Sequence, residues 1–360
     1  MRGDLTSLAC AHEHGCPWDE TTCREAAGNG RLKCLMYAHE NGCPWDKTTC
    51  REAAGNGRLK CLMYAHENGC PWDQRTCEEA AENGHLKCLV YAHVHGCPWD
   101  AWTCMYATKH LECLIYAHEH GCPWTMTTCF EAAQHGSIHC LIYAHEHGCP
   151  WDEDTCALAS TLDCLKYAHE HGCPWNEWTC SQAARKNNLN CLVYAHEHGC
   201  PWNENTCEEA AENDNLECLV YAHEHGCPWY ERMCCSAADN GSLRCLIYAH
   251  DHGCPLNSLV CANAAREGHV DCLVYATRHG APWSCVSLET TMYWVRRWHA
   301  LRVIARRALK VRRRTTTHAV SVIERAWMEY TFAPVQGRPG YERAKASFDT
   351  ERASKIARIE

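Results

Sequence analysis

Apolar positions recur along this chain in two alternating patterns. Between Pro44 and Gly69, Cys50, Ala53 and Ala54 follow Thr49 at the i, i+3, i+4 spacing that puts small residues on one face of a helix. We call the helix this predicts helix A. After Gly55-Asn56-Gly57, the residues Leu59, Cys61, Leu62, Tyr64 and Ala65 are apolar on nearly all sides, which predicts a second helix, B, sandwiched between neighbours. Gly69 supplies the left-handed residue that ends such a helix, and Pro71 stops its continuation. Thr49 with Glu52 reads as a capping box, and Thr22/Glu25, Thr76/Glu79, Thr128/Glu131 and Thr206/Glu209 repeat it, so helix A is expected to begin at each threonine.

The pattern is periodic. Gly-Cys-Pro-Trp places its cysteine at positions 16, 43, 70, 97, 122, 149, 173, 200 and 227, and Gly253-Cys254-Pro255-Leu256 and Gly280-Ala281-Pro282-Trp283 continue the series. Steps are 27 residues except one of 25 and one of 24, which gives ten complete units after an incomplete first one. Residues 3–15 match helix B alone, so the chain begins within a unit, as an odd cap or as a fragment of a longer gene. The expected domains are a repeat array over 1–283, a half repeat plus ten full repeats, and a tail over 284–360.

One unit reads Thr76-Cys77-Glu78-Glu79-Ala80-Ala81-Glu82-Asn83-Gly84-His85-Leu86. It resembles the ankyrin repeat, in which Thr-Pro-Leu-His-x-Ala-Ala is followed by Gly-His, with Cys77 at the ankyrin leucine and Cys88-Leu89 at its valine pair. The resemblance implies an all-α, ankyrin-like helix-pair solenoid. Ankyrin repeats run about 33 residues, and the shortfall falls in the connector, so β-hairpin fingers are expected to be short or absent. Cys-Pro-Trp arrays of this kind occur in proteins of large DNA viruses of amoebae and in some protists, often beside an F-box; no F-box is visible here.

Thirty-three cysteines among 360 residues approach the density of a disulfide scaffold, but that inference belongs to short secreted chains. Residues 1–15 lack the apolar run of a signal peptide, and no stretch approaches the roughly 20 apolar residues of a membrane span. The expectation is therefore an intracellular protein, cytoplasmic or nuclear, with reduced thiols and no transmembrane segment.

The recurrent Ala-His-Glu-His-Gly-Cys, as at His118, His120 and Cys122, raises zinc, whose preferred ligands are imidazole and thiolate. Residues i and i+2 on a helix point about 200° apart, so these two histidines do not share a metal, and Asn41 and Asn68 replace the second histidine in two units. The first histidine is expected to pack or hydrogen-bond between units, the second to cap the helix, and the tryptophans to stack from unit to unit. No cofactor is expected, with zinc kept as the alternative. The same Cys–His pair recurs ten times, whereas catalysis needs one activated group in a distinct pocket, and no phosphate loop, Gly-x-Ser-x-Gly or His-Glu-x-x-His is present. No enzyme is expected.

Binding should lie where units differ within a constant frame. Trp102, Met105, Tyr106, Met126, Phe130 and Trp178 put large apolar side chains where other units carry Glu, Arg, Lys or Thr, and aromatic anchors dominate interface energies. They form the candidate partner-binding face on helix A and the connector. The competing reading is that they fill space in or beside the two shortened units, 97–121 and 149–172. The expected function is a non-enzymatic scaffold or adaptor for a protein partner, with a metal-binding or redox-responsive repeat protein as the alternative.

Charge divides the chain. Residues 284–360 hold 16 Lys+Arg against 7 Asp+Glu, leaving 18 against 37 in the remainder. Over 292–314, Trp294 and Trp298 line one face with Arg302, Arg306, Arg307 and Lys310 among the basic residues around it, which predicts a helical tail. It is expected to dock on the acidic array in cis as a C-terminal cap. Nucleic acid is set aside as a partner because the array, at a net of -19, repels phosphate.

Overall fold

The computed structural model describes residues 5–230 and 232–282. Among the described residues there are 21 α-helices and one 3-10 turn, and no strand. The chain divides into two compact units, Met1–Trp202 and Asn203–Glu360.

In the first unit a leading helix, Leu5–Glu13, packs on the helix B Leu32–Glu40, and helix pairs follow it. Regular pairs are nine residues on nine, as in Lys47–Gly55 with Leu59–Glu67 and Gln74–Glu82 with Leu86–Val94. Helix A packs on the next helix A and on its own helix B. The second unit repeats this with Glu204–Glu212, Met233–Asn240 and Ser258–Glu267 as its A helices.

The core follows from the pattern. Nine helices B bury one leucine almost completely, Leu62, Leu89, Leu114 and Leu141 among them, and each helix A turns a cysteine and small residues inward. Small residues let the A helices approach closely, and a leucine buried in this way stabilises by about 2 kcal/mol relative to exposure.

Two expectations need correction. Helix A does not begin at threonine: outside Met233–Asn240, whose N-cap is Arg232, its N-cap is the second residue after the connector proline, where the Asp46 carboxylate accepts from Thr48 N–H at 2.9 Å and the Asn176 side chain accepts from Trp178 N–H at 2.9 Å. Thr49, Thr76 and Thr128 therefore lie inside the first turn, fully buried, and cap nothing. The deletions also fall in an unforeseen place. The shortened units have a six-residue helix A, Ala101–Tyr106 and Glu153–Leu158, and the first ends in the 3-10 turn Ala107–Lys109. Helix B keeps its nine residues in both.

The turn between the helices uses a left-handed residue. Gly57 has φ +69°, and a Cβ there would meet His85 Nδ1 of the following repeat at 2.7 Å, so glycine is required twice over. Asn187 and Asp214 take this conformation where the glycine is missing, as short polar side chains can.

Candidate functional site

The candidate face rests on an aromatic frame assembled across repeats. His93, at the end of one helix B, stacks on Trp99 six residues later with ring centres 3.7 Å apart. Its Nδ1 is 2.9 Å from the hydroxyl of Tyr116 in the next helix B, and Trp99 meets the edge of that ring. The next histidine, His120, lies over Tyr116 at 4.1 Å and donates from Nδ1 to the Tyr116 carbonyl at 2.8 Å. That bond satisfies a carbonyl left free at the helix end. Asn41 makes the same bond, its Nδ2 donating to the Tyr37 carbonyl at 2.8 Å, so either residue serves at this position.

The cluster recurs as His118/Trp124/Tyr143 and His169/Trp175/Tyr194 in the first unit and as His223/Trp229/Tyr248 in the second. In His250/Tyr275 the hydrogen bond persists although Leu256 stands at the tryptophan position. The structure thus gives the two histidines the packing and capping roles expected of them. Tryptophan differs: its stacking partner is the preceding histidine, and it reaches the next unit only through the tyrosine edge. Burial, and then the neighbouring second histidine, push His93, His118, His145, His169 and His223 below the ordinary imidazole range.

The Nδ1 nitrogens are engaged in these bonds, and among the described residues no three His, Cys, Asp or Glu side chains form a group able to hold an ion. Burial pushes the helix B thiols up, Cys88 to about 11 and Cys140 to about 12, which keeps them protonated and poorly nucleophilic.

On this frame the candidate residues of helix A divide by exposure. Trp102 is 57% exposed, Met126 48% and Trp178 38%, while Met105, Tyr106 and Phe130 are half-buried. The structure brings Trp102 and Tyr106 together on one six-residue helix, ring centres 6.4 Å apart. Met126 and Phe130 share the next helix A, Met126–Gln134, and Trp178 lies two helices A beyond that, on Glu177–Arg185. Carboxylates border the face: Glu78, Glu82 and Glu79 act on the Tyr106 hydroxyl, which burial first and these charges second push above the ordinary phenol range. Lys109 bridges to Glu82 at 3.5 Å.

Three exposed apolar side chains were missed, Val94, Tyr230 and Leu259. Val94 is 68% exposed at the end of its helix B, where Glu67 and Glu119 stand in neighbouring units. The same comparison of units that singled out Trp102 finds it. Trp294, Trp298, Arg302, Arg306, Arg307 and Lys310 of the tail lie outside the described residues. Among the described residues no helix is long and apolar enough to cross a membrane.

No protein-family model matches the chain, and no curated protein matches it. Solved structures do. One is a pentatricopeptide repeat protein in complex with an 18-nt psaJ RNA element, 14% identical with a TM-score of 0.40, the match covering 96% of this chain and 61% of that one. A triple cysteine-to-serine variant of that protein with the same RNA element matches with the same figures. The chain thus spans 61% of the length of the repeat proteins it matches. The exclusion of nucleic acid made from net charge is corrected here, since the matched repeat proteins are complexes with RNA. By its own helices, the chain is a helical-repeat protein of the solenoid class, built from helix pairs.

Proposed function

We propose that this chain is a non-catalytic binding scaffold that holds a protein partner on the exposed face of helix A in its first unit, and that its unit is a shortened ankyrin-type repeat. The observation that carries the reading is the exposure of Trp102, Met126 and Trp178 on a frame where most matching positions of the other units are polar. Trp102 and Trp178 occupy the second residue of helix A, which is Thr48 and Asn205 in other units. Burying a tryptophan at a partner's surface is worth several kcal/mol when it seats in a pocket. The frame exists before the partner arrives, so little ordering entropy opposes binding. The ankyrin-type assignment is supported by the Thr-Cys-x-x-Ala-Ala helix, the Gly-His turn and the helix pair.

The test is capture of partners by the intact chain and by a variant with Trp102, Tyr106, Phe130 and Trp178 changed to Ser, each with and without nuclease. A protein retained by the first, lost by the second and indifferent to nuclease is the expected result. Equal capture by both chains removes the face from the account, and loss on nuclease treatment alone assigns the scaffold to RNA or DNA instead.

A further inference from the structure

A second feature repeats as strictly as the aromatic frame and has no part in the binding face. In several repeats the cysteine before the connector proline lies beside the cysteine of helix A 17 to 20 residues before it. At Cys234 and Cys254 the contact is reciprocal: Cys234 N–H donates to Cys254 Sγ at 3.3 Å, and Cys234 Sγ donates to the Cys254 carbonyl at 3.6 Å. With N–Cα near 1.46 Å, Cys254 Sγ lies within about 5 Å of the Cys234 Cα, so closing an S–S bond asks for a rotamer change and a shift of about an ångström.

Cys129 Sγ likewise donates to the Cys149 carbonyl at 3.8 Å, and its thiol acts on that of Cys149, as the Cys207 thiol acts on that of Cys227. The Thr128 hydroxyl, fully buried and without an oxygen or nitrogen partner, acts on the Cys149 thiol. The connector thiol sits at the start of helix A and donates to the carbonyl of the N-cap residue, Cys149 to Thr125 and Cys227 to Asn203, each at 3.2 Å.

We propose that these thiol pairs are oxidation sites, each closing to a disulfide inside its own repeat when a hydroperoxide reaches it. The environment assigns the roles. The Cys129 thiol, and after it the Cys129 backbone N–H and the Thr128 hydroxyl, hold Cys149 below the usual thiol range, whereas the bond to Cys149 and burial push Cys129 far above it. Cys149 is the nucleophile and Cys129 the resolving thiol, with Cys227 and Cys207 in the same relation. The Cys149 thiolate attacks one oxygen of the hydroperoxide. The O–O bond breaks, leaving a sulfenic acid and an alkoxide that takes up a proton to become the alcohol. Cys129 sulfur then attacks Cys149 sulfur. The S–O bond breaks, and hydroxide leaves with the Cys129 proton as water. Two thiols lose two electrons, and the hydroperoxide gains them. Because the sulfurs are buried, the reagent enters through local opening of the connector.

The experiment treats the reduced full-length chain with a dilute alkyl hydroperoxide under native conditions, alkylates the remaining thiols after unfolding, and maps peptides by mass spectrometry. Cys10 and Cys16 are exposed and serve as internal references. The expected result is Cys129–Cys149 and Cys207–Cys227 cross-links, with each oxidised pair losing both of its alkylatable thiols. Oxidation confined to Cys10 and Cys16, with the pairs fully alkylated, overturns the proposal. In the Cys129→Ser variant, which keeps a side-chain donor beside Cys149 and removes the resolving sulfur, Cys149 should stop at the sulfenic acid and be trapped by a cyclic 1,3-dione; an untrapped, alkylatable Cys149 in that variant contradicts the assignment of roles. The wild-type map decides the matter even where the variant does not fold.

Discussion

The regular repeat from Cys43 to Gly69 and the shortened one from Cys97 to Gly121 do the same structural work with different lengths. In the first, helix A spans nine residues and ends at a turn through Gly57; in the second it spans six and ends in a 3-10 turn. Both bury one leucine fully, Leu62 or Leu114. Both hydrogen-bond the terminal histidine of their helix B to the tyrosine of the following one, His66 to Tyr91 at 3.1 Å and His118 to Tyr143 at 2.9 Å. Contact between repeats runs through both helices and the connector, and the shortened helix A keeps its packing on the helix A before it. The shortened repeat is also where Trp102 stands exposed.

Removing the shared leucine should show that the two repeats are equivalent in the core. Leu62→Ala and Leu114→Ala should each destabilise by about 2–5 kcal/mol, a cost of the lost burial plus the cavity left behind, read as a shift in the denaturant midpoint. A much smaller cost in the shortened repeat would mean that it is loosely packed and that the comparison fails.

Acid should act on both repeats in the same direction. The stacked histidines have folded-state pKa values below that of the unfolded chain, so on acidification the unfolded state takes up protons first. Their contribution is fully present above about pH 6.5, and it declines as pH falls from there toward the folded values. His118 faces His147 and Glu119, with Tyr143 as its hydrogen-bond partner. Changing His118 to Phe keeps the ring on Trp124 and removes the titrating group. It should lower stability at neutral pH by about 1 kcal/mol for the lost hydrogen bond and flatten the pH profile of the melting temperature. An unchanged profile would show that other groups set the acid response.

The cap provides a finer test. Asp46→Ala and Asp100→Ala should each cost about 1 kcal/mol. Thr49→Val, which removes a hydroxyl with no partner and keeps the shape, should cost less than either cap change. The reverse order would restore threonine as the cap.

These contrasts also explain what the amino-acid pattern could convey. Helix pairs, buried Leu62 and Cys61, and the terminating Gly69 are legible because each depends on local spacing and on the packing of one face. The cap was misplaced because Thr49-x-x-Glu52 and Asp46 both satisfy a capping pattern, and only the packed position of Thr49 decides between them. The His93/Trp99/Tyr116 cluster and the Cys129/Cys149 pair join residues 6, 23 and 20 positions apart, a proximity that appears only once repeats stack. Exposure of Trp102 follows from comparing units, whereas the half-burial of Tyr106 and Phe130 does not.

Frame and face are most directly separated by one paired measurement on the intact chain and on the Trp102→Ser/Trp178→Ser double variant, namely the denaturant midpoint and the affinity for a captured partner. The account predicts a midpoint change equivalent to no more than about 0.5 kcal/mol per site, as expected of exposed positions, together with at least a tenfold loss of affinity. A variant that loses stability while binding as before would show that these tryptophans belong to the frame, and would contradict the account.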